Sequence, residues 1–215
     1  MVFRFFKKRR MDLDELPKKA TEQKKNGDID PGELQKKATE QKKNGDIDGA
    51  IISLRSAYKQ LEKQGIKWPI NTYLRLPLFL QKAGRTDEAW AEFNALLRAP
   101  ESDFMLSMNH SIIHDKMRLF LQREGKASLA VKFGVLSYVE TAIAYDKQGR
   151  PEELKQLQDE EIIHSCVKSL LKKANKPECE YEIAKIIIKH MKSIKKINLS
   201  ELAQSVDAIV SREKA

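Results

Sequence analysis

A glycine followed five residues later by an alanine occurs three times in this chain, each time between two segments with helical periodicity. The three pairs are Gly45 with Ala50, Gly84 with Ala89, and Gly125 with Ala130. Glycine readily adopts the left-handed backbone conformation that ends a helix, and a small alanine lets two helix backbones approach closely. The pattern predicts three helical hairpins in succession, each consisting of a helix, a glycine turn and a second helix.

The flanking segments support this prediction, because their apolar residues recur at spacings of three and four and no segment shows the alternation typical of a β-strand. Asp30, Pro31 and Glu33 form a helix start, since aspartate caps free backbone N–H groups and proline suits the first helical position. We expect the first helix to run from Pro31 to Asn44. The second helix should bury a stripe that consists of Ile51, Leu54, Tyr58 and Leu61.

Residues 151–215 predict about three further helices, which form a helical cap at the C-terminus. The first should run from Pro151 to about Lys173, the second from about Glu178 to Lys195, and the third should be capped by Ser200. Their inward positions are Leu154, Leu157, Ile163, Val167, Leu170, Ile183, Ile187, Met191, Leu202, Val206 and Ile209.

A stretch of sixteen residues occurs twice, at 15–30 and at 33–48, with a single difference between the copies. The second copy is the first helix and turn of the first hairpin, whereas the first copy has no second helix to pair with. In the first copy only Leu16 and Ala20 are apolar and helically spaced, so it can bury little surface. We interpret it as a duplicated spare helix. The oligomeric state stays open, and a dimer formed through this N-terminal helix is one alternative.

The positive charge is concentrated at one end of the chain. Of the net charge of +9, five charges lie in the first ten residues, which contain no acidic residue, and the remainder is nearly balanced. The tail, residues 1–14, mixes cations with aromatic residues, namely Phe3, Arg4, Phe5, Phe6, Lys7, Lys8, Arg9 and Arg10. Three interpretations stay open: weak contact with an anionic membrane surface, contact with nucleic acid through stacking and phosphates, or a chain end that is floppy or packs locally.

The number and spacing of the cysteines and the length of the apolar runs favour one cellular compartment. Cys166 and Cys179 match no metal-binding spacing, and two cysteines build no disulfide framework in a chain of this size. The N-terminus lacks the apolar stretch of a signal peptide, and no run of 18 apolar residues occurs. We expect a protein of a reducing, bacterial-type cytoplasm.

Candidate catalytic and metal sites are weak. His110 and His114 have the i, i+4 spacing that can bind zinc on a helix, but Ser111 replaces the acid of the metalloprotease motif and no third ligand is evident. His164 and Cys166 lie two residues apart on one helix, so their side chains point apart. The sequence predicts no metal site and no thiol catalyst.

Neither the acidic residues at 159–161 nor the glycines of the chain predict a catalytic or phosphate-binding site. Asp159, Glu160 and Glu161 are adjacent on a helix and are most simply a solvated face, since paired catalytic carboxylates need a cleft. No glycine-rich phosphate loop occurs. We expect a protein without catalytic residues, without a cofactor and without enzymatic activity.

The hairpins resemble the tetratricopeptide repeat, a helix-turn-helix unit of about 34 residues with an A-x3-F step in its second helix. Ala89 and Phe93 form that step here. The resemblance implies an all-α, right-handed α-α superhelix of three hairpins over residues 31–145, followed by the cap at 151–215. Another all-helical array is the alternative, because the turn glycines are 39 and 41 residues apart.

In tetratricopeptide proteins the first helices of successive units line a concave groove that binds a peptide or a partner helix. The resemblance places in this groove Lys42, Lys43, Leu74, Leu78, Gln81, Lys82, Leu119, Gln122 and Arg123. A cation recurs two residues before each turn glycine, although cations also favour helix C-termini in general. The resemblance implies a non-catalytic module that binds a peptide or protein partner in this groove, and the recurring cations favour an acidic one. The alternative is a membrane-peripheral or nucleic-acid-associated regulator that acts through the tail.

Overall fold

The computed structural model describes residues 30–100 and 109–212, and in these ranges every regular element is a helix. The predicted all-α class is therefore confirmed. The tail at residues 1–14 and all but the last residue of the first duplicated copy lie outside the described residues. The chain divides into two compact units, Met1–Lys67 and Trp68–Ala215.

The first unit contains one helical hairpin, made of α1 (Pro31–Lys43) and α2 (Ile47–Gln64). Its local signals act as predicted. A carboxylate oxygen of Asp30 accepts a hydrogen bond from the Glu33 backbone N–H at 3.0 Å, and Gly45 turns the chain with a φ of +85°. Asp46 then caps α2 by accepting from the Gly49 N–H.

Small and apolar residues join the two helices of this hairpin. Leu34 and Ala38 of α1 are buried, as are Ala50 and Leu54 of α2. A polar link supports this contact, because the amide of Gln41 accepts a hydrogen bond from the Ser53 hydroxyl at 2.7 Å and donates one to Asp46 at 3.0 Å. The hairpin is thus held by an apolar contact, which these two side-chain hydrogen bonds supplement nearer to the solvent.

The second unit consists of helices that are joined mostly by short turns. They are α3 (Ile70–Tyr73), α4 (Arg75–Lys82), α5 (Thr86–Arg98), α6 (Asn109–Arg123), α7 (Ala127–Lys147), α8 (Pro151–Gln158), α9 (Glu160–Ala174), α10 (Glu180–Met191) and α11 (Leu199–Val210). Short 3-10 helices occupy Pro177–Cys179 and Ile194–Lys196.

Two of the predicted hairpins lie in this unit. α4 pairs with α5 and α6 pairs with α7, with turns at Gly84 and Gly125. Ala89 and Ala130, five residues after these glycines, are fully buried as expected. Before α4 the helix is interrupted at Leu74, because Pro77 lacks the N–H that would bond to the Tyr73 carbonyl.

Three sequence predictions for the C-terminal helices are wrong in their boundaries. The helix predicted from Pro151 to Lys173 is two helices, because Asp159 adopts an extended backbone and its carboxylate caps α9. The second predicted helix is shorter than Glu178 to Lys195, since 3-10 turns flank α10. The last helix is capped by Asn198 and not by Ser200, because the Asn198 side chain accepts from two backbone N–H groups of the first turn.

The core of the second unit forms around α7, which contacts α6, α8, α9, α10 and α11. Within the described ranges α7 alone is long and apolar enough to cross a membrane by length and composition, with a mean hydropathy of 1.3, and 56% of that apolar window is buried inside the protein. A core helix passes the same test. Four aromatic rings pack where α5, α6 and α7 meet, namely Trp90, Phe93, Phe120 and Phe133.

Candidate functional site

The C-terminal turns of α4 and α6 lie next to each other and are joined by polar contacts. The Gln81 side-chain amide donates to the Phe120 carbonyl at 3.0 Å and to a Glu124 carboxylate oxygen at 2.8 Å. Nη1 of Arg123 lies 3.5 Å from Oε1 of Gln81. Two side chains of the predicted groove, Gln81 and Arg123, therefore meet on one surface.

A second contact connects α6 with α9. Oε1 of Gln122 accepts from Nζ of Lys173 at 3.3 Å and from Nη1 of Arg118 at 3.2 Å. We call the region defined by Gln81, Gln122, Arg123 and Lys173 the α4–α6–α9 surface. Its two contacts, Gln81 with Arg123 and Gln122 with Lys173, both involve the last turn of α6.

The remaining predicted groove residues are found in different environments. Leu74 is 1% exposed and lies in the core, so it does not form part of a surface. Leu78 and Leu119 are half-buried, and Lys82 is exposed at the end of α4. Lys42, half-buried, and Lys43, exposed, belong to the first unit. A groove that uses all three hairpins stays a prediction.

Arg118 contacts Gln122 of this surface, and the sequence did not predict a role for it. Its side chain is almost fully buried, and its Nη2 and Nε atoms both donate to Oδ1 of Asp115, at 2.6 and 3.0 Å. The spacing of Asp115, Arg118 and Gln122 along α6 is three and four residues, which is a sequence signal for contact on one helix face. A fixed guanidinium here orients the Gln122 amide toward Lys173.

The two histidines considered as metal ligands meet a third side chain that the sequence did not indicate. Nδ1 of His114 lies 2.6 Å from Oε2 of Glu140, and Nδ1 of His110 lies 4.0 Å from Oε1 of the same carboxylate. Nε2 of His110 is buried without a hydrogen-bond partner. Among the described residues no group of three or more His, Cys, Asp or Glu side chains could hold a metal ion. The contact between His114 and Glu140 is thus a buried polar link between α6 and α7.

The thiols are in poor environments for nucleophilic chemistry. Burial raises the pKa of Cys166 to about 12, although the positive charge of Arg118 opposes this shift. Burial also raises the pKa of Cys179. Nδ1 of His164 lies 3.3 Å from a carboxylate oxygen of Glu180 on α10. Because the thiolate is the reactive form, a Cys166 thiol that stays protonated at neutral pH is a weak nucleophile.

The acidic run at the start of α9 is exposed, and one member has a structural role. Asp159, Glu160 and Glu161 are all solvent-exposed. Oδ1 of Asp159 accepts hydrogen bonds from the backbone N–H groups of Glu161 and Ile162. The role that the structure shows for this run is therefore to start α9, with Asp159 as its cap.

The chain matches no protein-family model, no curated protein and no solved structure.

Proposed function

We propose that this chain is a non-catalytic binding protein whose α4–α6–α9 surface takes an acidic segment of a protein partner. The observation that carries the proposal is that Arg123 contacts Gln81 of α4 while Lys173 of α9 contacts Gln122, so both cations lie at the last turn of α6. Lys82, exposed in the last turn of α4, adds a cation at the same end of that helix.

The order of the helices is consistent with a tetratricopeptide-like array, which we propose as the finer description of this unit. In such an array the first helices of successive hairpins are neighbours, and so are the second helices. The hydrogen bonds of Gln81 join the first helices α4 and α6. The ring contact of Trp90 with Phe133, at a centroid distance of 5.8 Å, joins the second helices α5 and α7.

Charge and apolar surface have different roles in this proposal. Cations clustered at one surface increase the rate at which an acidic partner associates, and this effect falls as salt is added. Exposed ion pairs contribute only about 0 to 1 kcal/mol each, so they cannot supply the affinity alone. The half-buried Leu78 and Leu119 supply apolar area that a partner could cover.

The binding role is also supported by the state of the groups that would otherwise perform catalysis. The raised pKa of Cys166 keeps its thiol protonated. His114 and Glu140 are directed at each other in the interior, each with about a tenth of its side chain exposed.

The experiment uses a fluorescent peptide of alternating glutamate and leucine, with a peptide of serine and leucine as the uncharged control. Lys82→Glu, Arg123→Glu and Lys173→Glu are introduced together. We expect anisotropy titrations to show a loss of affinity of about tenfold or more, which corresponds to about 1.4 kcal/mol. Added salt should weaken binding by the parent protein and have little effect on the variant.

A matched variant carries the same change of charge elsewhere in the unit, at the exposed positions Lys147, Lys155 and Lys168, each changed to glutamate. It should bind the acidic peptide almost as well as the parent. Equal losses in the two variants would show that net charge acts without a specific surface. Failure of the parent to bind the acidic peptide better than the uncharged one would also refute the proposal.

A further inference from the structure

A second basic region lies in the second unit, in and after α10, the helix that packs against α9. Residues 183–200 contain five lysines and no acidic residue. All five are exposed, namely Lys185, Lys189, Lys192, Lys195 and Lys196. This is a concentrated positive region within the folded part of the chain.

Three of these lysines form a line along α10. Lys185, Lys189 and Lys192 are spaced by four and three residues, which places them on one side of the helix, with their Cβ atoms about 5 to 6 Å apart. Lys192 directly follows α10 and keeps a helical backbone. The opposite face of α10 packs inward through buried residues, namely Ile183, Ala184, Ile187 and Met191.

An exposed aromatic ring extends the line. Tyr181 lies one helical turn before Lys185 on the same side of α10, and it is 68% exposed. We call Tyr181, Lys185, Lys189 and Lys192 the α10 stripe. It combines a free aromatic face with regularly spaced cations.

The acidic residues of α10 do not neutralise the stripe. A carboxylate oxygen of Glu180 lies 3.3 Å from Nδ1 of His164, and one of Glu182 accepts from Arg212 at 2.8 Å. Among the residues that the structure describes, the lysines of the stripe form no ion pair. Their charge is therefore available to an external anion.

These features favour one kind of polyanion. Because the apolar face of α10 is committed to the core, the helix cannot insert that face into a bilayer, as interfacial helices do. Single-stranded nucleic acids bind to surfaces where cations follow the phosphate backbone and an aromatic ring stacks against an unpaired base. We propose that the α10 stripe binds a single-stranded nucleic acid, with lysine–phosphate contacts along the helix and a base stacked on Tyr181.

The probe is a short fluorescent oligothymidine, which binds to the full-length protein and is followed by anisotropy at several salt concentrations. Lys185→Gln, Lys189→Gln and Lys192→Gln are introduced together. Each phosphate contact to a single strand contributes about 0.7 to the slope of log K against log salt, so we expect this slope to decrease by about 2 and the affinity to fall at least about tenfold. Tyr181→Ala should also weaken binding, whereas Tyr181→Phe should retain it because the ring can still stack.

The matched control changes Lys147, Lys155 and Lys168 to glutamine, which removes the same charge outside the stripe. It should bind almost as tightly as the parent. The proposal is overturned if the control and the stripe variant lose affinity equally, if Tyr181→Ala binds as well as the parent, or if the oligonucleotide does not bind. It is also overturned if the stripe variant loses binding only to phosphatidylserine vesicles, since the surface would then recognise a membrane.

Discussion

Nδ1 of His114 lies 2.6 Å from Oε2 of Glu140, and this contact joins α6 to α7 in the interior of the second unit. The two residues are 26 positions apart in the sequence. Both side chains are almost fully buried, so if one is removed, water cannot take its place as the hydrogen-bond partner of the other. The contact therefore makes α6 and α7 depend on each other for stability.

Removal of one partner should be costly. We expect His114→Leu to lower the free energy of unfolding by about 3 kcal/mol, since breaking a buried pair leaves an uncompensated polar group in the interior. Urea denaturation followed by circular dichroism measures this change. The double variant with Glu140→Leu should be less destabilised than the sum of the two single changes, because neither member of the pair is then left buried without the other. An unchanged free energy of unfolding for His114→Leu would contradict this account.

Gly134 leaves little room for a side chain. A Cβ atom at this position on α7 would lie 2.5 Å from Cδ2 of Leu170 and 3.0 Å from Cδ of Arg118. Alanine would gain about 1 kcal/mol of helix propensity but would overpack the contact at a cost of about 1 to 3 kcal/mol. We expect Gly134→Ala to be neutral or destabilising in thermal unfolding.

The matched background for this test is Leu170→Ala, which removes the two atoms nearest to the added methyl group. In that background Gly134→Ala should stabilise the protein, because the helix propensity gain remains and the clash with the leucine does not. The same sign of effect in both backgrounds would show that Leu170 does not limit the space at this position.

Ala89 is fully buried on α5, which pairs with α4, and we expect it to lie where the two helices meet. Ala89→Leu should overpack this contact and destabilise the protein by about 1 to 3 kcal/mol. Ala91→Leu, on the exposed side of the same helix, is the control and should change the stability by less than about 0.5 kcal/mol. Guanidinium unfolding curves of the two variants compare the sites directly, and equal effects would refute the assigned helix contact.

Excision of residues 15–32, one period of the duplication, should change the melting temperature by no more than about 3 °C, which is about 1 kcal/mol at this chain length. The excision brings Asp12 to the place of Asp30, three residues before Glu33, so the helix cap of α1 is restored. Asp12→Ala should therefore cost about 1 kcal/mol in the shortened protein and almost nothing in the parent. A large loss of stability on excision would mean that the first copy packs against the fold.

Local sequence signals predicted the hairpins well, because the physical causes of a turn lie within a few residues. Gly45, Gly84 and Gly125 have positive φ angles and end their helices, as expected. The same reasoning failed where two local signals competed. Asp159 interrupts a periodic apolar stripe because its carboxylate caps a new helix, and Asn198 caps α11 in preference to the nearby Ser200.

The helical character of the described chain, the positions of its main turns and the apolar face of each helix follow from local sequence, since these properties depend on residues within one or two turns of each other. Which of these faces meet depends on the packing of the folded chain. Glu140 is placed against His114, Lys173 against Gln122, and Leu74 in the core. Periodicity defines an apolar face but not its neighbour, because that choice depends on the packing of helices that are distant in sequence.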